Sequence, residues 1–290
     1  MSHIIFRQTL CRTIGIVIIL NNCSPNRVAQ PGFATAPPRE QIEPSLQDEW
    51  MPKQAPGSRQ YLIEDSSTTS ISDDPTHTSS LQTATTYSLS LVPLADSFSF
   101  TAKVDSMSTS LASSPEASTL NKSFSQTVHG TFSNNGEMST VIADASSSCQ
   151  GGVDAAGMRM FELTQYYPKG AIKIGDKWAD TISATSCRGK ITLHQEIIRE
   201  YQLLELTNWK KYPVAKIQRN VSTTAMGSSS ESQNHLTATG FGTGTALFYA
   251  DRTNGFLRES NGYSESKFII STSRGSYSFT QNVITHIKIQ

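Results

Sequence analysis

Within the stretch from Leu236 to Ile270 the chain alternates from Leu236 to Tyr249 over a length that only an extended strand accommodates, then turns and continues from Phe256 onward. Ala238, Gly240, Gly242, Gly244 and Ala246 take one phase; Thr239, Phe241, Thr243, Thr245 and Leu247 take the other. One face of this strand is therefore nearly bare. A bare stripe permits strong coiling and lets another body approach the backbone closely. Asp251-Arg252-Thr253-Asn254-Gly255 supplies turn chemistry, with Gly255 free to take positive φ and close a hairpin. The run predicts one long strand of a strongly curved antiparallel sheet.

The same period recurs elsewhere. Tyr87, Leu89 and Leu91 alternate with serines, and Phe98, Phe100, Ala102 and Val104 with Ser, Thr and Lys. Phe124 to Phe132 repeats the pattern, and Asn134-Asn135-Gly136 turns the chain toward Met138 to Ile142. Further strands are expected over Ile191 to Leu206, Val214 to Ala225 and Tyr277 to Ile289. Period two fails once. Val153, Gly157, Met160, Leu163 and Tyr167 share a helical face, with Asp154 in the first turn and Pro168 as the stop. The expected fold is mainly β: a curved antiparallel sheet or half-open barrel of about ten strands, with one helix packed on its concave face. The glycine stripe is the surface expected to receive that helix.

Residues 1–23 read as an export signal. Arg7 and Arg12 precede or flank Ile14-Gly15-Ile16-Val17-Ile18-Ile19-Leu20, an apolar core too short to span a bilayer. Leu20 stands three residues before Cys23, as in a bacterial lipobox, so lipidation at Cys23 would give a membrane anchor. Asn21 and Asn22 depart from that pattern, and an ordinary signal cut slightly further on is the alternative. Residues 24–85, rich first in Pro and then in Ser and Thr, read as a disordered linker. Residues 86–290 read as a single β-rich domain.

Equal numbers of basic and acidic residues, 24 each, argue against a nucleic-acid partner, which needs a basic footprint. With Cys11 and Cys23 in the leader, Cys149 and Cys187 remain as an even pair in an exported chain. A disulfide between them is the natural reading, worth roughly 4 kcal/mol in the chain-entropy model. Neither cysteine has metal-ligand spacing, no Cys-x-x-Cys occurs, and no cofactor or metal is expected.

Catalytic motifs are scarce. Gly240-Phe241-Gly242-Thr243-Gly244 lacks the Lys-Ser/Thr ending of a phosphate loop, and no Gly-x-Ser-x-Gly elbow occurs. His129, His194, His235 and His286 are dispersed along strands. Asp176, Asp180 and Asp251 would form an acid pair only if folding gathered them, and two of them belong to turns. Trp178, Tyr166, Tyr167 and Phe241 would line a pocket or fill a core.

Pro168, Gly175-Asp176-x-Trp178, the three strand glycines and the Asp251 to Gly255 turn together resemble a group of uncharacterised bacterial envelope proteins. Those are associated with half-barrel lipoprotein carriers of the LolA and LppX-like type. The resemblance implies a curved sheet under a helical lid, acyl chains between them, and no catalytic residues. Ligand contacts would then fall to Gly240, Gly242, Gly244, Phe241, Trp178, Met160 and Leu163. Three roles compete. One is a non-catalytic envelope protein holding a lipid or other apolar ligand between sheet and helix. A second is a structural module with a filled core that recognises an envelope protein partner through a strand edge. A hydrolase is the third.

Overall fold

The structure, a computed structural model, describes residues 49–71, 74–111, 114–118, 127–143, 155–188, 191–229 and 236–290. The strands are β1 (Glu49–Trp50), β2 (Gly57–Ile71), β3 (Asp74–Pro93), β4 (Ser97–Leu111), β5 (Ser114–Ser118), β6 (Thr127–Ser133) and β7 (Met138–Ala143). A helix, α1 (Ala155–Leu163), follows. Then come β8 (Ile172–Lys173), β9 (Lys177–Arg188), β10 (Ile191–Trp209), β11 (Tyr212–Ser229), β12 (Thr237–Asp251), β13 (Leu257–Thr272) and β14 (Gly275–Ile289).

Twelve strands form one antiparallel sheet in the order β7-β6-β4-β3-β2-β14-β13-β12-β11-β10-β9, with β5 on β4; β1 and β8 pair separately. The sheet curls through 269° as a half-barrel, and α1 packs on its concave face. The two edges are β7 and β9, which are consecutive in the main sheet's chain order. The segment carrying α1 is the connection between them, so the chain crosses its own opening.

Alternation explains the curl and the core. Tyr61, Ile63, Tyr87, Leu89, Leu91, Phe98, Phe100, Ala102 and Val104 are all buried on the concave side. Intervening Ser, Thr, Gln and Lys face out, as a sheet with one packed face requires. Register shifts between Thr86 and Tyr87 and between Leu203 and Glu205 bend the ladder, as bulges do. Beyond the second, the buried phase passes from Leu203 to Leu206.

The reading of residues 24–85 as a disordered linker does not hold from Glu49 onward. β2 pairs with β14 along Tyr61 to Ile71 and with β3 along its whole length. Tyr61 and Ile63 enter the core, and the Ser/Thr-rich half of the strand is held by backbone ladders on both sides. Composition cannot show a partner strand lying more than two hundred residues away. Cys23 and the export signal lie outside the described residues.

The helix is shorter than Val153 to Tyr167. After Leu163 the chain leaves helical geometry because its next groups are engaged elsewhere. The Tyr167 N–H donates to the Asn135 carbonyl at 2.6 Å, and the Trp178 indole N–H to the Tyr166 carbonyl at 2.8 Å. Gly136, Gly175 and Gly255 take the positive φ (86°, 95° and 72°) that their turns require.

Candidate functional site: the concave interior

One end of the interior is filled by the protein's own aromatics. Trp50 meets Tyr167 edge-on at 5.1 Å, Trp178 stacks on Tyr201 at 5.5 Å, and Phe248 meets Tyr201 edge-on at 6.2 Å. The Tyr167 hydroxyl donates to the Gly255 carbonyl at 3.2 Å, fastening the connection after α1 to the β12–β13 turn. Burial pushes the Tyr201 hydroxyl up to about 12. At the opposite end Ile191, Leu193, Leu236, Ala238 and Ile270 form a smaller cluster joined by Phe279.

Between these ends the concave face turns polar. Arg199, 2% exposed, pairs with Asp180 through Nε at 2.9 Å and through Nη2. Its Nη1 donates to the carbonyls of Phe161 at 2.7 Å and Thr164 at 3.1 Å. The last turn of α1, whose carbonyls lack helical partners, is thus capped by a cation from β10. From the helix itself, Arg159 reaches across to Asp65 on β2 at 2.8 Å and also holds Glu162. Burial raises the Asp65 carboxyl above its usual range, partly offset by Arg159 and by the Thr285 hydroxyl at 2.7 Å.

Arg219 is different. It is 6% exposed, and its enclosed Nε has no hydrogen-bond partner among the described residues. Burial holds its pKa below the ordinary arginine value. Tyr201, directly opposite in the ladder, also carries an enclosed hydroxyl, which lies against the Tyr166 backbone.

The glycine stripe lies on the concave side, as the phase of the buried Ala238, Ala246 and Phe248 shows. A Cβ at Gly240 would come within 2.5 Å of the Phe268 ring, and at Gly242 and Gly244 within 3.0 Å of Ser266 and Ser264. These neighbours belong to β13, not to α1. The helix instead packs Phe161 against Ile182 and Ile197 of β9 and β10. The expected pairing of stripe and helix is therefore not what forms: Arg199 and Ile182 hold α1 to the β9–β10 wall, and the β12–β13 wall is left uncovered among the described residues. Ser264 on that wall is exposed.

The residues expected to contact ligand do not assemble into one site. Leu163 and Trp178 belong to the filled half. Met160 lies in α1, with its side chain outside the described residues. Phe241 points outward and is 59% exposed. Gly240, Gly242 and Gly244 stay together on the uncovered wall. Cys187 sits near the end of β9, but Cys149 and hence the expected disulfide lie outside the described residues.

The three candidate acids are separately occupied. Asp176 accepts from the Lys173 N–H at 2.8 Å, Asp180 pairs with Arg199, and Asp251 pairs with Arg258 at 2.8 Å. His194 bonds Thr185 at 3.2 Å, and His286 lies between Glu64 and Glu259 on the outward face. Among the described residues no cluster of three or more His, Cys, Asp or Glu could hold a metal. Reading the sequence for motifs missed Asp65, Arg159, Arg199 and Arg219. A signal existed: Arg199 and Arg219 occupy the apolar phase of their strands, between Ile197 and Tyr201 and between Ile217 and Val221.

The outward face carries Thr237, Thr239, Thr243 and Thr245 on β12 and Gln218, Asn220, Ser222 and Thr224 on β11, with Phe241, Tyr263 and Ile284 scattered among them. A bilayer-spanning barrel needs the reverse arrangement, an apolar outward band around a polar lumen.

No family model matches the chain, and no curated protein matches it. Among solved structures, a mutant of the Rh. blastica porin is 8% identical, with a TM-score of 0.26 over 79% of this chain and 100% of its own. Pseudomonas aeruginosa OccK2 (OpdF) is 7% identical, with a TM-score of 0.25 over 80% of this chain and 98% of its own. Pseudomonas aeruginosa OpdO, also 7% identical, reaches 0.19 over 84% of this chain and 97% of its own. Scores this low carry no argument about activity. The expected resemblance to LolA and LppX-like carriers is not found and is withdrawn: no family model and no curated protein supports a carrier, and the solved structures matched are porins.

Proposed function

We propose that this is a non-catalytic protein of the cell envelope that holds an apolar or amphipathic ligand along the uncovered β12–β13 wall of its half-barrel. One observation carries the reading. The bare positions Gly240, Gly242 and Gly244 face the concave side, and the helix that could have covered them is fastened to the other wall. Phe268 and Phe279, stacked at 5.3 Å, continue the wall with apolar surface. An apolar concavity with a few polar groups is the usual form of a small-molecule site. The apolar leader before Cys23 supports export to the envelope.

The aromatic filling of one end favours a second reading, a structural or partner-binding module. Native mass spectrometry of the full chain extracted from membranes separates them. Retained lipid, lost on Gly242→Leu, supports the ligand reading. A ligand-free mass in every mild preparation rejects it in favour of the filled module.

A further inference from the structure

We infer that Arg219 and Tyr201 form the seat for the anionic head of an amphiphile whose tail lies along the glycine wall. The inference rests on the ligand reading above and names the ligand's class. Strand register supplies the geometry. One row of directly paired residues runs Tyr201, Arg219, Ala246, Gly262, Thr285, Asp65 across six strands. Beside Arg219 in that row stand Ala246 and Gly262, which contribute almost no side chain. Two residues further along each strand, Gly244 faces Ser264, where the uncovered wall begins.

The ionic inventory of the interior points the same way. Arg159 holds Asp65 and Glu162, and Arg199 holds Asp180 and two helix carbonyls. The enclosed Arg219 Nε makes no hydrogen bond among the described residues, although Glu162 and Asp180 are near enough to act on the guanidinium through space. A buried guanidinium nitrogen without a hydrogen bond is costly, and the fork of N–H donors it belongs to matches a carboxylate or phosphate oxygen pair. The Tyr201 hydroxyl, enclosed opposite it and touched on its oxygen by the Tyr166 backbone, still has its O–H to give as one more donor. The head is therefore an oxygen anion rather than a cation, and the bare positions beside it give the chain behind the head its way to the wall.

The test titrates the full-length protein, by native mass spectrometry, with hexadecanoate, hexadecyl phosphate and hexadecanol, and with acetate and inorganic phosphate as tailless anions. In the wild type, one or both long-chain anions bind at least tenfold tighter than the alcohol, and the tailless anions at least a hundredfold weaker. Arg219→Gln removes the preference while alcohol binding persists; Arg219→Lys keeps part of it; Tyr201→Phe weakens the anions alone. Equal binding of acid and alcohol in the wild type overturns the head-group seat, leaving an ordered water at Arg219, but spares the ligand reading. Tight binding of acetate or phosphate overturns the amphiphile in favour of a free anion. Binding of none of the five overturns both readings. If Arg219→Gln does not fold, the Tyr201→Phe and Arg219→Lys series decides.

Discussion

Asp180 and Arg199 stand directly opposite one another on β9 and β10, and the guanidinium that grips the carboxylate also caps the helix. One side chain thereby joins the edge of the sheet to the element that crosses its opening.

Breaking that junction should be severe. Arg199→Met leaves the largely buried Asp180 without its cation and the Phe161 and Thr164 carbonyls without a donor. Urea unfolding is expected to show a loss of about 3–5 kcal/mol, the usual cost of leaving half of a buried pair. The double variant Arg199→Met/Asp180→Leu should recover part of that loss, because the stranded charge is gone. A double variant no more stable than the single one would show that helix capping, not the ion pair, dominates.

Gly136 should tolerate no side chain. Its φ is 86°, and a Cβ there would overlap the Gln165 carbonyl oxygen, which is backbone and cannot yield. Gly136→Ala is expected to cost upward of about 2 kcal/mol. Gly242→Ala, with positions 3.0 and 3.1 Å from its nearest neighbours and ordinary φ, should cost distinctly less. Thermal unfolding of the two variants side by side checks the order.

The β10–β11 hairpin turns on Lys210 and Lys211, both at positive φ (47° and 72°). Paired positive angles are those of a two-residue turn that favours Asn-Gly. Lys210 also reaches Glu259 at 3.1 Å and should be kept. Lys211→Gly is expected to stabilise by up to about 1 kcal/mol, since a side chain in that conformation carries a penalty of this order. An unchanged or lower urea midpoint would refute it.

Acid should act through Asp251. Burial alone would raise its carboxyl pKa, but hydrogen bonds from Thr253 and Arg258 outweigh burial and hold it below the usual range. A carboxyl depressed in the folded state adds stability that is complete above the unfolded pKa of about 3.9 and fades as pH falls through the folded value. The stability difference between wild type and Asp251→Asn should therefore be constant near neutrality and close below about pH 4. Asp65 has the opposite sign: its carboxyl is raised, so its effect on stability declines as pH climbs from about 3.9 through the folded value. Urea midpoints from pH 2 to 7 measure both.

Strand identity, the Gly136 and Gly255 turns and the inward phase of Tyr87, Phe98 and Phe100 follow from the sequence, because period two and turn chemistry are local properties. So does the inward orientation of Gly240, Gly242 and Gly244, once Ala238 and Ala246 are seen to share their phase. Tertiary structure alone decided that Gly57 to Ile71 is a strand, since its closing partner β14 lies at the other end of the chain. It also decided where α1 rests. Residue pattern gives the helix an apolar face but not a wall; Arg199 and Asp180 on β10 and β9 select the wall by satisfying charges and carbonyls that have no local partner, while Asp65 on β2 holds the helix from across the interior.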